Sequence, residues 1–118
     1  MAFDEHLADR IRQIMYDKGA GFTEKRMFSG LCFMVDDKMC CGTHIDKKSG
    51  ESFLLCRIGE VAYPVAIERA NCIPMNFTGR PMNGYVFVLE AGFRDDKKLA
   101  DWLQLCLDFN PKAKKSKK

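Results

Sequence analysis

The sequence predicts an α+β fold, an antiparallel β-sheet of about five strands with helices in the order α-β-β-β-α-β-β-α. Three observations carry this. Apolar residues recur at helical spacing near both ends of the chain, the middle holds short apolar runs, and brief polar links join those runs. Short links force neighbouring strands antiparallel, and the alternating strand–helix units of a parallel fold are not seen. With 118 residues, 47% hydrophobic and 30% charged, the chain suits one domain with its own core. We place that domain at residues 1–111 and read residues 112–118 as a disordered basic tail.

Phe3, Leu7, Ile11, Ile14 and Met15 recur at helical spacing, opposite Asp4, Arg10, Arg12 and Asp17, and Gly19 and Gly21 stop the helix. Leu31 to Val35 and Met39 to Ile45 flank "DDK", a hairpin connection. After "DKKSGE", Ser52 to Ile58 returns as a third strand. "EKRMF" either extends the first strand or forms a short one of its own. Because Leu31 to Val35 is apolar on both faces, each side of the sheet needs a cover, by helices or by a second subunit. A homodimer is thus compatible with the sequence.

In "GEVAYPVAIERAN" the pattern predicts a short helix with Val61 and Val65 inward, along with Ala62 and Ala66. Pro64 is tolerated in a first turn, so the expected start is near Ala62 or Tyr63 and the expected end by Asn71. "CIPMNF" is extended, with Pro74 confining it to an edge or a bulge. Tyr85 to Glu90 is a further strand. Asp95 and Asp96 open the last helix, whose stripe is Leu99, Trp102, Leu103, Cys106 and Leu107, and Pro111 ends it.

The formal charge of +3 describes the tail and not the body. Five lysines (Lys112, Lys114, Lys115, Lys117 and Lys118) leave residues 1–111 with 14 basic against 16 acidic side chains, a net of −2. The body is no nucleic-acid platform; only the lysine tail can hold phosphates, weakly and in a salt-dependent way. No apolar run approaches the ~20 residues that span a bilayer, and the acidic N-terminus lacks a signal-peptide pattern. These features predict a cytoplasmic protein without a membrane partner.

Six cysteines without a C-x-x-C pair, and histidines only at positions 6 and 44, give no zinc pattern. The reading is of reduced, buried thiols. Cys40 or Cys41 with His44 is the one local Cys/His set. On a regular strand Cys40 and His44 share a face but lie ~13 Å apart, too far for a dyad unless the strand bulges at Gly42. Asp36/Asp37 and Asp95/Asp96 read as turn and cap residues. No Walker-type loop and no Gly-x-Gly-x-x-Gly segment is present, so no cofactor is expected.

In "FTGRPMNGY" the glycines, Pro81 and Asn83 are explained by a turn before Tyr85. Arg80 is not, and with Arg26 and Arg57 it forms the candidate set for contact with an anion or an acidic partner loop. The competing reading pairs each with an acid such as Glu24, Glu60 or Glu90, or stacks it on Tyr85 or Phe28.

Four stretches in succession carry a family resemblance: "KRMFSGLCFMVDDKMC" (Lys25 to Cys40), "FLLCRIG" (Phe53 to Gly59), "FTGRPMNGYVFV" (Phe77 to Val88) and "LADWLQLCLDF" (Leu99 to Phe109). Together they resemble the N-terminal domain of the TfoX/Sxy competence regulators over roughly residues 10–109. The resemblance implies an antiparallel sheet with helices in the order α-β3-α-β2-α. It also implies a non-enzymatic domain that works by protein contact in transcriptional regulation, with a transcription factor or polymerase component as partner. Ser29 stands where the family pattern often has a second glycine. A lysine tail stands where larger members carry a second, helical domain, and cooperation with the cyclic-AMP receptor protein belongs to those two-domain members. The alternative is a small thiol- or nucleic-acid-modifying enzyme using Cys40/Cys41 or the arginines.

Overall fold

Six strands form one antiparallel sheet in the order β1-β2-β3-β4-β6-β5. The structure, a computed structural model, describes residues 4–27, 30–75 and 83–113. The strands are β1 (Thr23–Met27), β2 (Gly30–Val35), β3 (Lys38–Ile45), β4 (Ser52–Arg57), β5 (Cys72–Pro74) and β6 (Tyr85–Val88). "EKRMF" thus contributes to a strand of its own, the edge strand β1. The α+β class and antiparallel sheet agree with the sequence reading, with one strand more than its five. Pro74 lies on the opposite edge, in β5, which bonds only to β6 and so does not need the missing N–H.

Hairpin β2–β3 is tighter than "DDK" implied. Asp36 and Asp37 both take positive φ, 56° and 62°, as a two-residue turn of the type I′ class requires, and Lys38 already belongs to β3. Along this hairpin Phe33 pairs with Cys41 and Met34 with Met39, so Cys40 is the extra residue of a β-bulge. The bulge reverses the alternation of side chains on either side of it.

Four helices, α1 (Glu5–Asp17), α2 (Gly59–Ala66), α3 (Glu90–Phe93) and α4 (Asp96–Phe109), are followed by a 3₁₀ turn (Asn110–Lys112). Asp4 caps α1, accepting from the Leu7 N–H at 3.0 Å, and also accepts from the Ser52 hydroxyl at 2.7 Å, which ties the helix start to β4. Asp95 caps α4, accepting from the Lys98 N–H at 2.8 Å. Leu7, Ile11 and Met15 are buried as their spacing predicts, each worth ~1.5–3 kcal/mol of transfer free energy. Phe3 falls outside the described residues. On α4, Leu99, Trp102, Leu103 and Cys106 are buried, and Leu107 packs half-buried against them. α3 was not foreseen; Glu90 starts it and does not end a strand.

The buried helix residues join Leu31, Phe33, Leu54, Cys56, Val86 and Val88 in one core on one face of the sheet. Cys32, Met39, Phe53, Leu55, Met75 and Phe87 form a second, smaller cluster that includes no helix residue. Helical cover on both faces is therefore not found among the described residues. Cys32, Leu55 and Met75 are nonetheless fully buried within one chain, so β2 by itself gives no reason for a second subunit. Among the described residues no helix is long and apolar enough to cross a membrane. The 3₁₀ turn includes Lys112, and the Asn110 side chain donates to the Val35 carbonyl at 3.2 Å; Ala113 is buried.

Candidate functional site

The thiols lie in the core. All six cysteines are free and buried. The bulge turns Cys40 to the same face as Cys41, which pairs across the sheet with Cys56, and Cys106 of α4 meets them from the helical layer. Hydrogen bonds from the Cys106 and Cys41 thiols pull Cys40 below the usual thiol range against its burial, with the charge of Arg57 helping. Its hydrogen bond to Cys40 and burial push Cys41 up, and burial first of all pushes Cys106 up. Burial pushes the Cys32 thiol to about 12. Cys40 is only 1% exposed, so no substrate reaches it in this conformation.

His44 does not serve these thiols. The strand bulges at Cys40 and not at Gly42, and His44 therefore faces the opposite side of the sheet from Cys40, which corrects the expectation of a shared face. There its ring stacks on Phe87 at 4.5 Å between centroids. Among the described residues no group of three His, Cys, Asp or Glu is placed to hold a metal.

Of the arginine set, Arg26 and Arg57 are among the described residues, and these two lie apart. Arg26, on edge strand β1, pairs in register with Leu31 and shares the helical face of the sheet. Arg57, at the end of β4, pairs with Tyr85. Three strand spacings and three residues along the strand put the two roughly 17 Å apart. Arg57 donates to the Met39 carbonyl at 3.4 Å, and its guanidinium lies 5.4 Å from the Tyr85 ring centroid and 5.8 Å from that of Phe109. Stacking on Tyr85 is one of the structural roles the sequence allowed; Phe109 is an addition. Arg80 lies outside the described residues. Glu24 is held by Arg12, which forks onto both its carboxylate oxygens at 2.7 and 2.9 Å.

Other arginines are structural in ways the sequence did not disclose. Arg10 of α1 bonds the Phe93 and Arg94 carbonyls and Asp96, each at 3.0 Å, pinning α1 to the α3–α4 junction. Arg69 lies over the Trp102 ring at 4.2 Å. The cleft of about 510 Å³ between α1 and α4 is lined by such groups, already engaged: Arg10 with Asp96, Lys97 with Asp101, Lys18 with Gln104, Gln13 with Asp17.

α2 carries the surface that is left over. The structure corrects the valine half of the expected inward face of this helix and keeps the alanine half. Val61 is 95% and Val65 71% exposed, while Ala66 is buried and Ala62 and Tyr63 are half-buried. The helix begins at Gly59, three residues before the expected start, because the Gly84 carbonyl accepts from both the Ile58 and Gly59 N–H groups (2.9 and 3.1 Å). That start rotates the small alanines against the core and puts Pro64 beyond the first turn, at the cost of one hydrogen bond. Beside it a cleft of about 210 Å³ runs between α2 and the end of α4. Ile58, Val61, Ala62, Leu105 and Phe109 line it, with Glu60, Asp108 and Lys112 as its charged groups. The sequence offered the alanine and valine pairs as inward together, and their shared i, i+4 spacing did not separate them.

A family model, the TfoX N-terminal domain, matches residues 15–110. No curated protein and no solved structure matches the chain.

Proposed function

The chain belongs to the TfoX N-terminal domain family, and on that premise we propose that it is a non-enzymatic regulatory domain acting by contact with another protein in transcriptional regulation. At the family level it is a domain of the competence-regulator kind. The observation that carries the proposal is the exposed Val61/Val65 pair on α2, in a molecule whose thiols are all buried. Two valines left in water at i and i+4 are an apolar stripe that a partner can bury. The partner we favour is a transcription factor or polymerase component, met in the cytoplasm. Crosslinking followed by pull-down from a lysate tests this. Specific recovery of a transcription protein is expected, and recovery of none counts against it.

Direct binding of nucleic acid through the lysine tail is the lesser contribution in this reading. Its affinity is expected to vanish when residues 112–118 are deleted and to fall steeply with salt.

A further inference from the structure

We propose that the cleft between α2 and the end of α4 receives a basic side chain, arginine or lysine, from a short helical segment of the partner whose neighbouring aliphatic residues cover Val61 and Val65. This rests on the protein-contact reading above and names the surface and the chemistry it selects.

Size comes first. A volume of about 210 Å³ is below the ~300–1,000 Å³ of pockets that enclose cofactors or drug-sized ligands, but it accommodates one long side chain. The lining then selects which kind. Ile58, Leu105 and Phe109 offer an apolar bed for a methylene stem, and arginine and lysine lay their stems on such surfaces while keeping the charged head in water. Glu60 and Asp108 supply two carboxylates against the single ammonium of Lys112. Neither carboxylate makes an ion pair among the described residues, and Asp108 accepts only from the Gln104 amide at 2.9 Å. An acidic or neutral polar head would gain nothing there; a guanidinium or ammonium would.

The flanking surface fixes the rest of the partner. Val61 and Val65 lie one helical turn apart, which matches the i, i+4 spacing of apolar residues on a partner helix. α2 has eight residues, about 12 Å of helix, so the contact is small and its affinity modest.

The probe is a short fluorescein-labelled helical peptide with leucines at i and i+4 and arginines on either side. Its control carries glutamates in place of the arginines. Binding is read by anisotropy and by amide chemical-shift mapping on the whole chain. The arginine peptide should bind at least tenfold tighter than the glutamate peptide and perturb α2 and the end of α4. Glu60→Gln combined with Asp108→Asn should weaken it roughly tenfold, from about 0.7 kcal/mol per partly exposed charge contact. Val61→Lys should abolish binding without loss of fold, since Val61 touches solvent on nearly all sides and an ammonium there repels the basic head as well as removing the apolar contact. Equal binding of the two peptides, shifts centred elsewhere, or no binding would overturn the proposal. So would a gain of tenfold or more on deleting residues 114–118, which would make the chain's own lysines the occupant. A protein partner recovered from lysate and insensitive to Val61→Lys removes this surface and leaves the wider reading to rest on the family membership and the recovered partner.

Discussion

Cys40 and Cys41 are neighbours in the chain, yet both face the helical layer, where Cys40 meets the thiol of Cys106. The bulge makes this arrangement, and with Cys56 it gathers four thiols within the core. Alkylation by iodoacetamide distinguishes a core of thiols from a catalytic one. In the native protein all six should be protected by a factor on the order of 10³ or more, because labelling needs the core to open. They should react together once denaturant unfolds the chain, because the contacts that set Cys40 apart from the other thiols exist only in the fold. A single thiol labelled quickly at neutral pH without denaturant would restore the enzyme reading.

Gly59 and Gly50 share a backbone conformation and differ in surroundings. Gly59 has φ +88° and the Phe109 ring fills the place where a Cβ would stand; Gly50 has φ +74° with open space around it. Gly50→Ala is therefore expected to cost about 1 kcal/mol, for the left-handed backbone alone. Gly59→Ala should cost about 2–4 kcal/mol, because displacing the ring adds overpacking at the junction of α2 and α4. Urea unfolding followed through Trp102, the chain's one tryptophan, measures both. Similar losses for the two would show that Phe109 moves away freely.

Acid should weaken the fold through Glu24 and Asp4. The hydrogen bonds of Arg12 hold Glu24 below its usual value of 4.5. Burial pushes Asp4 up, but the Leu7 N–H, the Ser52 hydroxyl and His6 outweigh it and leave Asp4 below 3.8. Folded values below unfolded ones mean that the stabilisation is complete above about pH 4.5 and is lost as pH falls through the folded values. Glu24→Gln should cost about 1 kcal/mol at pH 7 and flatten the decline between pH 5 and 3. An unchanged pH profile in that variant would remove Arg12–Glu24 as its source.

The elements most legible in the sequence were those where one physical rule dominates. α1 and α4 have clear apolar stripes, and Asp95 was legible as a cap; Asp4, read on the polar face of the first helix, is instead its cap. Pro74 announced an edge because proline cannot bond on both sides. α2 was misread because its register against the core is set from outside the helix, by the Gly84 carbonyl, and hydrophobic spacing alone cannot choose between valines and alanines. The bulge at Cys40 was equally hidden: Met39 to Ile45 has no glycine or proline at that point, and the extra residue is visible only against β2. The candidate surface depends on α2 and so was missed with it.

Arg57, Arg26 and Arg80 separate scaffold from surface. Arg57 is half-buried, between the Tyr85 and Phe109 rings and the Met39 carbonyl, so truncation loses both stacking and a charged hydrogen bond. Arg57→Ala is expected to cost about 1–3 kcal/mol. Arg26 stands exposed on an edge strand, where a side-chain contact is worth at most about 1 kcal/mol, so Arg26→Ala should cost less than Arg57→Ala. The contrast matters for function: a residue that stabilises the fold is costly to reuse for a partner, whereas an exposed one is not. Arg80→Ala decides the third case by the same measurement. An unchanged melting temperature would remove the scaffold role there and leave contact with a partner, and loss of capture in the crosslinking assay by that variant would then assign it. Should Arg57→Ala melt with the parent instead, the two rings do not hold the guanidinium, and Arg57 returns to the set of partner contacts.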